Sequence, residues 1–177
     1  MEMDESRQYL MHQRRVEALE LLQTELNPNA YQIRMLEFGA ELADIYSEMY
    51  ELEVKKPKKS MSSINRVASK CIENSCYFTD IIYKKEDKSE KFEYAQSILN
   101  LELSVASKLT KWFTSDPQER IDKTKEALEI YKKLEVYIQE YKEFKGSELE
   151  MSDQFQQQVA IVHEMASLLP AKLSKMS

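Results

Sequence analysis

The chain has 177 residues, of which 32% are charged; it carries two glycines, four prolines and a net charge of −6. That length suits one domain with a real core, and so little turn punctuation excludes an all-β fold. The acidic balance excludes nucleic acid as the default partner, because phosphate contacts need a basic surface, but it leaves room for a basic protein.

The prolines and Gly146 divide the chain into six segments with helical periodicity. The first repeats Tyr9, His12, Val16, Leu19, Leu22 and Leu26, and ends before Asn27-Pro28, an N-cap followed by proline at the first helical position. The second repeats Met35, Phe38, Leu42, Ile45, Met49 and Leu52. A basic linker, Lys55-Lys56-Pro57-Lys58-Lys59, follows, and it reads as solvated. The third repeats Ile64, Val67, Cys71, Ser75, Phe78 and Ile82. Asp87 and Glu90 form a capping box ahead of the fourth, which repeats Tyr94, Ile98, Leu101, Val105, Leu109 and Trp112. Asp116-Pro117 opens the fifth, with Leu128, Tyr131, Leu134 and Ile138 on a wide apolar arc. Ser147 and Glu150 cap the sixth, which carries Phe155, Val159, Val162, Ala166 and Leu169 and is expected to stop at Pro170.

The expected fold class is therefore all-α: six long antiparallel helices in three hairpins within one domain, 1–177. The linkers fall near 55–61, 84–90, 113–117 and 145–147. Short links make consecutive helices antiparallel neighbours. A solenoid stack like tetratricopeptide (TPR) repeats and a closed helical bundle both fit. Met35, Phe38, Gly39 and Leu42 match TPR first-helix spacing, with Gly39 as the small residue where two helices approach closely.

No catalytic or metal-binding motif emerges. His12 and His163 have no second histidine or cysteine at ligand spacing, so no metal is expected. There is no glycine-rich phosphate loop, no nucleophile elbow and no Glu-x-x-His pair, so neither a cofactor nor enzymatic activity is expected. Cys71 and Cys76 are poorly spaced for a mutual disulfide and read as thiols of a reducing, cytoplasmic compartment. No apolar run reaches the roughly 18 residues of a membrane span, so no membrane partner is expected. One charge pattern remains. Glu37, Glu41, Asp44, Glu48 and Glu51 recur at steps of four and three, an acidic stripe on the second helix apart from its apolar face. It is either a solvated outer face or a docking ridge for a basic partner. Arg66, Lys70 and Asn74, at four-residue steps on the third helix, are a fragment of the clamp with which TPR adaptors hold peptide tails.

Several stretches match one family in order and spacing. They are Met11-His12-Gln13-Arg14-Arg15, Leu19-Glu20, Leu26-Asn27-Pro28 with Tyr31, Asp116-Pro117, Ala127-Leu128-Glu129 with Tyr131, and Glu164 to Lys172 at the end. In these the chain resembles the C-terminal part of the kinesin-binding protein family, over nearly its whole length. The resemblance implies a TPR-type α-solenoid and a chain that corresponds to the C-terminal part of a longer protein, with the upstream half as a partner. It implies binding to kinesin motor domains, block of their attachment to microtubules, and a cytoplasmic, cytoskeleton-associated location. Kinesins meet acidic tubulin through a basic surface, so the stripe Glu37 to Glu51 becomes the candidate partner-binding site. No individual contact residue is carried over from the family.

Overall fold

The computed structural model describes the backbone of residues 2–25 and 32–176, and the side chains of residues 5–22 and 38–176. Among the described residues the fold is all-α, with no strand. The helices are α1 (Glu2–Glu25), α2 (Gln32–Lys55), α3 (Met61–Tyr83), α4 (Lys88–Glu93), α5 (Ala95–Thr110), α6 (Pro117–Lys145) and α7 (Asp153–Met176), with a 3-10 turn at Gly146–Glu148. The fourth expected segment is thus two helices. Tyr94 breaks it, with φ −102° and ψ 23°, and its N–H turns back to the Phe92 carbonyl. The Asn27-Pro28 cap lies outside the described residues.

Local chemistry explains several of the helix ends. Asp87 caps α4, its carboxylate accepting from the Glu90 N–H at 3.2 Å, while Glu90 itself pairs with Lys85 at 3.7 Å. Asp116 caps α6 through the Gln118 N–H at 3.0 Å, with Pro117 in the first turn, where a missing N–H costs nothing. Gly146 closes α6 at φ +54°, a left-handed backbone that favours glycine.

Two expectations at the last helix are corrected. Its cap is Ser152, whose hydroxyl accepts from the Phe155 N–H at 3.1 Å, and not Ser147, which lies in the 3-10 turn. Pro170 does not end it either; α7 continues to Met176. The proline ring is exposed while Leu169 beside it is buried, so packing holds the helix through the one missing backbone donor. The Ser174 hydroxyl also donates to the Pro170 carbonyl at 3.2 Å.

The chain divides into two compact units, 1–78 and 79–177, with the boundary inside α3. In the first unit α1 runs antiparallel to α2, since Arg15 meets Glu41 and His12 meets Glu48. Helices α2 and α3 approach closely at Gly39, as expected: a Cβ there would lie 3.3 Å from the Tyr77 ring and 3.6 Å from the Asn74 carbonyl. One turn further on, the Cys71 thiol donates to the Ala43 carbonyl at 3.4 Å. Leu42, Ile45, Met49, Ile64, Val67 and Phe78 fill this core. Helix α1 contributes less than its periodicity suggests. Val16 is buried, but Leu22 is 46% exposed, and Leu10, Met11 and Leu21 are also exposed.

The second unit packs α6 against both α5 and α7. Leu134, Ile138, Ile98, Leu99, Val105, Val162 and Leu169 lie fully inside it. An aromatic cluster closes one end: Phe92 lies 5.3 Å from Tyr137, 5.7 Å from Tyr141 and 5.3 Å from Phe144 between ring centroids. The Tyr137 hydroxyl is satisfied by donating to the Lys91 carbonyl at 2.8 Å. Near the other end of α5 the buried Trp112 donates its indole N–H to Glu119 at 3.0 Å, with the Lys123 ammonium 4.3 Å from its ring. Hydrogen bonds from Thr114 and then Trp112 hold the Glu119 carboxyl below its ordinary range.

Candidate functional site

The acidic stripe sits on α2, in the first unit. The backbone of Glu37 lies in that helix; its side chain is outside the described residues. The other four carboxylates are not equivalent. Arg15 Nη2 donates to Glu41 Oε1 at 2.6 Å, and His12 Nε2 lies 3.1 Å from Glu48 Oε2. Asp44 and Glu51 are exposed. Crowding by protein atoms, and then the neighbouring charges of Glu48 and Glu41, push the Asp44 carboxyl above its ordinary range.

The stripe is therefore one wall of a seam and not an isolated ridge. Gln8, Met11, His12 and Arg15 of α1 face Glu48, Glu51 and Leu52 of α2 across a groove of about 450 Å³. The α1 partners of the stripe were legible in principle. His12 and Arg15 share a helix face with Gln8, and an antiparallel pairing had to bring that face against α2. The Arg15–Glu41 pair is solvent-accessible, so it adds about 0–1 kcal/mol, and a competing cation can displace Arg15 at little cost.

Another side of the same helix pair is more buried. The Tyr46 hydroxyl donates to Glu20 at 2.8 Å, and burial followed by that bond pushes its pKa far up. Glu53 is buried and takes a hydrogen bond from Tyr9 and an ion pair from Lys56 at 2.9 Å, with the Lys56 ammonium 5.0 Å from the Tyr9 ring. One lysine of the basic linker thus anchors the end of α2.

The other candidates separate. Asn74 donates to the Lys70 carbonyl at 2.8 Å, and Lys70 lies 3.7 Å from Glu73, so these two clamp residues are engaged along α3 itself. Arg66 lies near enough to Tyr9 and Tyr46 to stabilise their ionised forms. His163 pairs with Glu135 at 2.9 Å. Neither Cys71 nor Cys76 is in a disulfide. Among the described residues no group of three or more His, Cys, Asp or Glu side chains is arranged to hold a metal ion, and no helix is long and apolar enough to cross a membrane.

One residue escaped sequence reasoning altogether. Glu102 of α5 is 3% exposed, and burial raises its pKa from 4.5 to about 7. A hydrogen bond with Thr79 and the charge of Lys133 oppose the rise, and Asp80 adds to it. Its signal was there: position 102 falls in register with Ile98, Val105 and Leu109, a charged residue inside an apolar stripe.

A family model described as KIF-1 binding protein C terminal matches residues 1–176. The KIF-binding protein of Gallus gallus is 27% identical over 189 residues, covering 99% of this chain and 30% of its own length. That of Rattus norvegicus is 27% identical over 190 residues, covering 98% and 29% respectively. That of Danio rerio is 28% identical over 187 residues, covering 98% and 28%. The chain spans less than a third of the length of these relatives. No solved structure matches it significantly. The matched family is named for binding, and nothing in the helical arrangement points positively to catalysis. With a single model accounting for 1–176, the chain belongs to the KIF-binding protein family, in its C-terminal region.

Proposed function

We propose that this chain is a protein-interaction domain of a kinesin-binding regulator, one that engages kinesin motor domains and inhibits their attachment to microtubules. The match of the C-terminal family model over residues 1–176 carries this reading. The chain acts in it as a binding domain and not an enzyme. It works together with the upstream half of a longer protein, in the cytoplasm and on the microtubule cytoskeleton, with its helices stacked in the TPR manner.

The α1–α2 seam supplies a mechanism. A motor surface that meets acidic tubulin is basic, and it finds Asp44 and Glu51 exposed. Its lysines then compete with Arg15 and His12 for Glu41 and Glu48. Exchanging one weak surface pair for another costs little, so the acidic wall holds its shape without a partner and yields to one. An adaptor gripping peptide tails is less well supported, because Lys70 and Asn74 are engaged within their own helix.

The test is binding to a kinesin motor domain, by calorimetry and by microtubule co-sedimentation, using this chain alone and joined to its upstream half. Asp44→Lys with Glu51→Lys leaves both α1–α2 pairs in place and should cut motor affinity at least tenfold. Unchanged affinity would remove the stripe from the reading. Absence of motor binding in both forms would remove the reading itself.

A further inference from the structure

The second unit carries a surface of opposite character. Asp80 and Tyr83 of α3, with Lys84 just after it, sit at i, i+3 and i+4, so they share one face. Lys133, Val136, Tyr137 and Glu140 of α6 sit at i, i+3, i+4 and i+7 and share another. Together with Lys91 of α4 these faces enclose a groove of about 380 Å³. Its floor is aromatic: the Tyr83 and Tyr137 rings meet edge to face, 5.5 Å apart. Val136 stands at its side, 60% exposed, where an apolar side chain gains nothing from water.

The charges around this floor do not cancel. Lys91 and Glu140 close on each other at 2.9 Å. That leaves Lys84 and Lys133, both exposed, against the surface carboxylate of Asp80, with the buried Glu102 also within electrostatic reach of Lys133. In a chain of net charge −6 a concave site with surplus cations and an apolar floor selects acidic ligands from solution. Tyr137 is itself buried, so the reachable apolar surface is that of Tyr83 and Val136, within a groove that a peptide side chain enters and a flat lipid surface does not.

We propose that this groove docks an acidic peptide segment of a partner protein, with carboxylates at Lys84 and Lys133 and an apolar side chain between them against Tyr83 and Val136. The site is separate from the acidic seam on α2 and takes a partner of the opposite charge, so it does not depend on motor binding.

A fluorescein-labelled 12-residue peptide, with leucines spaced among glutamates, is titrated into the 177-residue chain and followed by polarisation. The same peptide with lysines in place of glutamates is the control. Saturable binding of the first and none of the second is expected. Lys84→Glu with Lys133→Glu should weaken binding at least tenfold, and Val136→Asp should weaken it about as much, with circular dichroism unchanged because all three side chains are exposed. Asp80→Asn should tighten binding about two- to threefold by removing the opposing charge. No binding of the acidic peptide, equal affinity for the charge-reversed variant, or preferential capture by phosphatidylserine vesicles would each overturn the proposal.

Discussion

The two compact units solve the same packing problem differently. In the second, α6 is gripped from both sides and the core is aromatic and almost wholly apolar, with Glu102 as its one deeply buried acid among the described residues. In the first, α1 buries Val16 but leaves Leu10, Met11, Leu21 and Leu22 exposed, and polar side chains such as Arg15 and Glu20 join it to α2. Burial at about 25 cal/mol per Å² outweighs accessible ion pairs worth under about 1 kcal/mol each. The difference is one of means: apolar burial holds the second unit, while α1 of the first adds accessible polar pairs to a smaller buried face.

The sharpest way to break that contrast is to empty the apolar core of the second unit. Leu134→Ala removes a fully buried side chain and should cost about 2–5 kcal/mol, read by urea denaturation. Leu22→Ala in α1 should cost under about 0.5 kcal/mol, since that side chain is already half in water. Similar losses for the two would mean that α1 packs better than its exposure indicates.

Glu102 gives the next largest effect. Its carboxyl is neutral in the folded state up to about pH 7 but ionises at its ordinary 4.5 in the unfolded chain. The unfolded state therefore releases its proton first, and this group's contribution to stability is full below about pH 4.5 and declines as pH rises toward 7. Glu102→Gln keeps the shape and loses the titration. The difference in melting temperature between variant and parent should grow in the variant's favour from pH 5 to pH 8; a difference flat with pH would contradict the burial.

Gly39 sharpens the comparison within the first unit. Gly39→Val places its added atoms against the Tyr77 ring and the Asn74 carbonyl and should cost about 1–3 kcal/mol by overpacking. Gly39→Ala should be near neutral, because a gain in helix propensity of about 1 kcal/mol offsets a 3.3 Å contact with a movable ring. The smallest effect is expected at the seam itself. A double-mutant cycle on Arg15 and Glu41 should give a coupling below about 1 kcal/mol that fades in high salt.

Much of this was readable from the chain. The repeat Ile64, Val67, Cys71, Ser75, Phe78 and Ile82 is buried at every position, because helical periodicity registers which face meets a core. Asp87 and Asp116 cap helices as read, because capping is a contact within three residues. What escaped depends on distant neighbours. Pro170 is carried through by the burial of Leu169, and the Tyr94 break lies inside an unbroken apolar pattern. The stripe was seen as a pattern, but its pairing with His12 and Arg15 required a partner helix in place.

Trp112 has a practical consequence. It is the only tryptophan in the chain; it is buried in the second unit, beside Lys123 and Glu119. Tyrosines such as Tyr46 and Tyr137 lie in both units. Indole emission excited at long wavelength therefore reads the second unit alone, while far-ultraviolet ellipticity reads both. Two melting curves from one sample would then show whether the first unit loosens before the second, without a label or a substitution.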